Sequence, residues 1–141
     1  MKRRVIALRE IDHVVLRVVD LARVQAFYCD VLGCRVEREQ RDIGLVQLRA
    51  GRSLVDLVPV DGQLGRAGGA PPGREGRNLD HLCFRVDPCD ETEIRSHLDA
   101  HGVAAGEVAM RYGAEGRGPS IYIEDPEGNV VELKGPPELG G

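Results

Sequence analysis

Ile11-Asp12-His13-Val14-Val15-Leu16-Arg17-Val18 and Leu79-Asp80-His81-Leu82-Cys83-Phe84-Arg85-Val86 are two versions of one phrase. Each alternates in the manner of a half-buried strand, and each carries a His and an Arg four residues apart. A second echo sets Leu54-Val55-Asp56-Leu57 against Val130-Val131-Glu132-Leu133. The separations are 68 from His13 to His81, 69 from Gly33 to Gly102 and 76 from Asp56 to Glu132. The offset grows only where connecting loops differ in length, so the chain is a duplication.

Working outward, the first half reads strand, helix and three strands. Asp20 is suited to cap a helix running to about Leu32, in which Leu21, Val24, Phe27, Tyr28 and Val31 make one apolar face. Gly33 ends it. A strand near 34–40 and a hairpin of 43–49 and 53–60 follow. The second half repeats the plan with a strand at 78–86, a helix from about Asp90 to Ala100 closed by Gly102, and a strand near 103–110. A glycine-rich loop at 113–118 then leads to a hairpin of 119–124 and 129–134. The turn Asp125-Pro126-Glu127-Gly128 has the residues a type I turn prefers. Two modules, 8–60 and 78–135, thus make one domain over 1–141. Residues 61–77 lack periodicity and read as a linker, part of it near a site, or as a flap. The tail after Lys134, with Pro136, Pro137, Gly140 and Gly141, is expected to fray.

Strand parity sorts the polar residues. Val14, Leu16 and Val18 share a face expected to pack under the helix, as do Leu82, Phe84 and Val86. His13 and Arg17 fall on the opposite face, and so do His81, Cys83 and Arg85. Asp56 and Glu132 likewise point away from the helices. Two imidazoles and two carboxylates at repeat-equivalent positions make a plausible divalent-metal set. His97 and His101 lie outside the repeat and are read as surface residues.

Bulk properties narrow the classes. The 141 residues carry a net charge of −4, with 42% hydrophobic and only 4% aromatic residues and no Trp, so the core is aliphatic. The charge argues against a nucleic-acid partner, which needs a concentrated basic face. The Met1-Lys2-Arg3-Arg4 start is basic, but Val5–Leu8 is too short for the apolar stretch of a signal, and no segment is long enough to span a membrane. A cytoplasmic location is expected. Cys29, Cys34, Cys83 and Cys89 form no CxxC pair and read as small buried apolar residues rather than disulfides.

The opening phrase through Asp20-Leu21, then Phe27-Tyr28 and Val31-Leu32-Gly33, resembles the vicinal oxygen chelate superfamily of glyoxalases, bleomycin-resistance proteins and extradiol dioxygenases. Ile121-Tyr122-Ile123-Glu124-Asp125-Pro126-Glu127-Gly128-Asn129-Val130-Val131-Glu132-Leu133 resembles its closing strand pair. The likeness covers essentially 8–135. It implies an α+β fold of two tandem βαβββ modules forming a cupped eight-stranded mixed sheet around a metal. By position the ligands would be His13, Asp56, His81 and Glu132. The second departs from glyoxalase I, which has Glu there.

The resemblance further implies a divalent ion (Ni, Zn, Co, Mn or Fe) and a small oxygenated substrate held through neighbouring oxygens. The reaction would be of the lyase or isomerase type through an enediolate-like intermediate, with Glu132 as base and Asp56 as partner. Arg17 stands where glyoxalase I uses an Arg for a carboxylate, though it also reads as a rim salt-bridge residue. Arg85 and Arg117 are further candidates for substrate binding. The alternatives are an Fe(II) extradiol-type dioxygenase, a thiol transferase of the fosfomycin-resistance type and a metal-free antibiotic-binding protein. A homodimer is expected from open sheet edges.

Overall fold

The computed structural model describes residues 4–138, so Gly140 and Gly141 of the expected frayed tail lie outside the described residues. Eight strands form two four-stranded mixed sheets. The first has β1 (His13–Val18), β2 (Arg35–Gln40), β3 (Leu45–Ala50) and β4 (Ser53–Pro59), in the order β1-β4-β3-β2. The second has β5 (Leu82–Arg85), β6 (Ala109–Gly113), β7 (Gly116–Glu124) and β8 (Val130–Lys134), in the order β5-β8-β7-β6. Each pairs its first and last strands in parallel and the others antiparallel. The tandem βαβββ plan is therefore present in both halves.

The chain divides into two compact units, one of residues 1–21 with 33–71 and the other of 22–32 with 72–141. The units are not the two consecutive halves: the first helix, α1 (Leu21–Ala26) with a π-helical turn at Phe27–Val31, groups almost entirely with the second sheet.

In the first unit Leu16, Val18, Val46, Leu48, Val55 and Leu57 are buried on one sheet face, following the alternation read from the sequence. Burying each such aliphatic side chain contributes about 1.5–3 kcal/mol. The segment after β4 is folded locally. A 3-10 turn at Gly65–Gly68 is held by Arg17, whose guanidinium donates to the carbonyls of Gly65 at 2.9 Å, Gly69 at 2.6 Å and Ala70 at 3.0 Å. Gly68 leaves room for this guanidinium, because a Cβ would sit 2.3 Å from Arg17 Nε and displace it. The start of the expected linker is thus a tethered turn.

In the second unit Tyr28, Val24, Phe27, Leu98, Ile121, Ile123, Val131 and Leu133 are buried. The helix α2 (Glu91–Ala100) starts as expected at Asp90, whose carboxylate accepts from Glu93 N. Its His97 is exposed, as expected of a surface residue, and its Nε2 donates to the Val31 carbonyl at 2.8 Å. The strand expected at 78–86 is shorter, with His81 immediately before it. The glycine-rich stretch expected as a loop is a hairpin, with Gly113 paired to Gly116 across a turn of Ala114 and Glu115.

The turn between β7 and β8 is built around Asp125, which is 5% exposed. One carboxylate oxygen accepts from the backbone N–H of Glu127 and Asn129, both at 2.9 Å. The other accepts from the Asn129 side chain at 2.8 Å and the Tyr28 hydroxyl at 2.9 Å. Arg77 closes the turn from outside, donating to Asn129 Oδ1 at 2.7 Å and the Glu127 carbonyl at 2.9 Å.

Tyr28→Phe removes one buried bond to an ionised acceptor and is expected to cost about 1.5–3 kcal/mol in urea unfolding, with Asp125→Ala costing more because it also strands the turn's donors. Arg17→Ala is expected to leave the global midpoint nearly unchanged while exposing 65–70 to limited proteolysis, read by mass spectrometry of the fragments.

Candidate functional site

The parallel pairing in each unit puts the candidate residues in the same register. Val15 pairs with Asp56 in the first sheet and Cys83 with Glu132 in the second, so His13 and His81 each precede the acid-bearing position by two residues on the neighbouring strand. Asp56 is 4% and Glu132 5% exposed. An ionisable carboxylate is costly to bury, and both are held by polar partners.

In the second unit His81 Nε2 lies 3.2 Å from Glu132 Oε1, while its Nδ1 lies 2.8 Å from Asp80 Oδ2. Carboxylate oxygens only accept, so both ring nitrogens face acceptors. Tyr122, paired with Glu132 across β7 and β8, packs edge-on against the His81 ring at 5.3 Å between centroids. Burial, then the Glu132 charge, pushes its phenol above the ordinary value. Cys83 is paired with Glu132 across β5 and β8. Burial of its sulfur, then the Glu132 charge, pushes the thiol up to about 11, so it is a neutral thiol at pH 7. The residue as a whole is exposed, with its sulfur only partly desolvated, rather than the buried apolar group expected.

In the first unit His13 Nδ1 lies 2.7 Å from Asp12 Oδ1. This hydrogen bond, then the Asp56 charge, raises the His13 pKa above its usual value. Gln47 Nε2 donates to both Asp56 oxygens, at 3.3 and 3.2 Å. Gln47 occupies in its sheet the place Tyr122 has in the other.

Each histidine therefore has its Nδ1 held by the Asp that precedes it, which directs Nε2 as the ligating nitrogen. This is the outer-shell pattern that orients metal-bound imidazoles. Histidine nitrogen and carboxylate oxygen suit the borderline divalent metals, so the donor chemistry fits such an ion. Among the described residues, no group of three or more His, Cys, Asp and Glu side chains is gathered closely enough to hold a metal.

The arginines divide. Arg17 is committed to three carbonyls. Arg85 is paired with Glu115 at 2.8 Å and donates to the Val86 carbonyl. Arg117 pairs with Tyr112, one position off the register of Gly118, and so lies on the sheet face away from Glu132. Arg111, which the sequence reading passed over, lies on the Glu132 face. Its guanidinium stacks over the Tyr122 ring at 4.5 Å, and its Nη1 donates to the Ser120 carbonyl and hydroxyl at 2.9 and 2.7 Å. The available signal was its place in β6, which a correct hairpin boundary would have supplied.

A groove of about 930 Å³ in the second unit runs beside α1, bounded by Phe27, Val31, Val103 and Ile123. None of His13, Asp56, His81 and Glu132 lines it. The chemistry of the carboxylates and imidazoles, not the size of the groove, marks the candidate site. Among the described residues no helix is long and apolar enough to cross a membrane.

Residues 10–133 match the family model of the Glyoxalase/Bleomycin resistance protein/Dioxygenase superfamily. The Escherichia coli (strain K12) protein YaeR, an uncharacterized protein, is 29% identical over 137 residues, covering 91% of this chain and 97% of YaeR. The crystal structure of the virulence protein STM3117 from Salmonella typhimurium has a TM-score of 0.75 and 26% identity, over 93% of this chain and 99% of that one. Lactoylglutathione lyase from Agrobacterium tumefaciens, at 24% identity and a TM-score of 0.63 over 89% of this chain and 92% of that one, shares the fold. With the repeat, the paired mixed sheets and this match over most of its length, the chain belongs to the glyoxalase/bleomycin resistance protein/dioxygenase superfamily.

Proposed function

We propose that the protein is a divalent-metal-dependent enzyme of the glyoxalase type, a lyase or isomerase acting on a small oxygenated substrate in the cytoplasm. The observation that carries this reading is His81, with one ring nitrogen fixed by Asp80 and the other turned on the buried carboxylate of Glu132. A structural ion pair has no need of that outer carboxylate, whereas a ligating imidazole is oriented by it. The candidate donors are two repeat-equivalent pairs, His81 with Glu132 and His13 with Asp56. When bound, the ion supplies Lewis acidity toward two neighbouring substrate oxygens and lowers the cost of enediolate-like charge.

The remaining work falls to side chains. Glu132 is the base that takes a proton from the carbon beside a substrate carbonyl and returns it to the neighbouring carbon or oxygen. Asp56, held by Gln47, is the repeat-equivalent carboxylate of the first unit. Tyr122 packs edge-on beside His81 and restricts the tilt of its ring. The Cys83 thiol, protonated at neutral pH, is not a nucleophile in this scheme. A homodimer suits this reading, because β1, β2, β5 and β6 are sheet edges.

Elemental analysis of protein purified without chelators is expected to find about one transition-metal equivalent per chain, lost in His81→Ala and in Glu132→Ala. Wild-type protein that takes up no metal after reconstitution would sink the reading. With metal present, 2-oxoaldehydes are the first substrates to screen. Oxygen uptake with catechols would instead identify the dioxygenase.

The site's electrostatics are testable apart from turnover. Iodoacetamide at pH 8 is expected to label Cys83 slowly, as judged by peptide mapping. Glu132→Gln removes the charge that raises the thiol pKa and should speed labelling several-fold.

A further inference from the structure

Seventeen arginines and two lysines make up the basic residues of this chain, and one of the lysines, Lys134, is buried in the second unit at 6% exposure. It follows Glu132 by two residues and shares its sheet face. An ammonium carries three donors. Among the described residues Lys134 Nζ uses one of them, on the Gly116 carbonyl at 3.0 Å, and no carboxylate lies within ion-pairing distance.

The sequence makes room for this cation. A Cβ on Gly113 would come within 2.9 Å of Lys134 Cε, and one on Gly118 within 2.7 Å of the Pro136 carbonyl and 3.1 Å of Lys134 Nζ. Two glycines in adjacent strands thus open a channel that a lysine fills. A buried charge without a counter-charge is unfavourable, and an apolar side chain of the same length would occupy the channel at lower cost.

Arg111 is the second cation on this face. Stacking on Tyr122 and the bond from Nη1 to Ser120 fix its plane, and among the described residues its Nε and Nη2 protons have no acceptor. Ser120 pairs with Lys134 across β7 and β8, so Lys134, Ser120 and Arg111 are neighbours in the register. Tyr122 joins them to His81 and Glu132. Arg85, also on this face, is neutralised by Glu115. Among the described residues of this face, the two cations without a carboxylate partner are therefore the two nearest Ser120.

We infer that Lys134, Arg111 and Ser120 form an oxyanion subsite, and that the substrate carries a carboxylate, phosphonate or phosphate beside its chelating oxygens. A planar guanidinium offers two parallel donors to such a group, and a compact ammonium adds a point charge. The substrate class rests on the metal-dependent reading above, whereas the subsite itself does not.

The test uses the full chain treated with EDTA, titrated with inorganic phosphate and separately with acetate, and followed by NMR of labelled backbone and side chains. Saturable shifts at Arg111, Ser120 and Lys134 are expected, with binding at least tenfold weaker in Lys134→Met and in Arg111→Gln and unchanged in Arg117→Ala. Lys134→Met fills the same channel with an apolar chain, so its spectrum is expected to remain that of a folded protein, and Arg111→Gln provides an independent check. Tighter binding of phosphate or of acetate tells which oxyanion the subsite prefers. No saturable binding, or equal binding in all variants, overturns the inference. Metal uptake is measured on the same samples: uptake without oxyanion binding overturns this inference alone. Oxyanion binding without uptake supports the subsite and removes the metal reading.

Discussion

The buried carboxylate of Asp125 is the constraint on which the second unit depends. It gathers two backbone N–H groups, the Asn129 amide and the Tyr28 hydroxyl, and so fixes at once the turn between β7 and β8 and the docking of the π-helical turn that carries Tyr28. The turn decides the register, and in a strand a slip of one residue exchanges the two faces. With the register as it is, Tyr122 opposes Glu132 and Ser120 opposes Lys134. A slip would turn Glu132 and Lys134 toward the apolar side and bring Val131 and Leu133 out. The polar face of the sheet is thus held by a hydrogen-bonded cluster at the opposite end of the strand.

Buried polar side chains distinguish the polar faces of both sheets from merely structural ones. Asp56, Glu132 and Lys134 are each at least nine-tenths covered, in strands that otherwise bury Val and Leu. Replacing such groups by apolar residues of similar size is often neutral or stabilising, so their presence is not explained by stability. Each is accompanied by further polar groups: Gln47 at Asp56, His81 and Tyr122 at Glu132, and the Gly116 carbonyl at Lys134. These partners lower the cost of burial without removing the charge, as a site that must keep its charge requires.

Much of this was legible in the sequence for identifiable reasons. Alternation in residues 11–18 and 79–86 gave the faces correctly, because buried strands obey a period of two without exception for polar residues. Asp90 and the Asp125 turn could be read because capping and turn chemistry are local. Three features were not local. The grouping of Ala22–Leu32 with the second sheet follows from tertiary contacts such as Tyr28 with Asp125, which no helical period encodes. Arg17 looked available because its spacing from His13 repeats in Arg85, but the carbonyls that engage it come from a segment with no periodic signal. Arg111 was hidden because glycine at 113, 116 and 118 resembles a loop, when Gly113 makes space for Lys134 and Gly118 for both Lys134 and the Pro136 carbonyl.

The duplication explains why the two units can differ in role while keeping one register. Position by position, Val15 faces Asp56 where Cys83 faces Glu132, and Gln47 stands for Tyr122. By the same correspondence Val58 stands for Lys134 and Leu45 for Ser120. The acid and the imidazole are kept in both sheets, whereas the flanking positions are apolar in the first and polar or cationic in the second. A net charge of −4 on the whole chain does not contradict local cations, because charges farther apart than about 8–10 Å are largely screened at physiological salt. Recognition of an oxyanion as proposed needs only a few donors close together, and Lys134, Ser120 and Arg111 are neighbours in the second sheet.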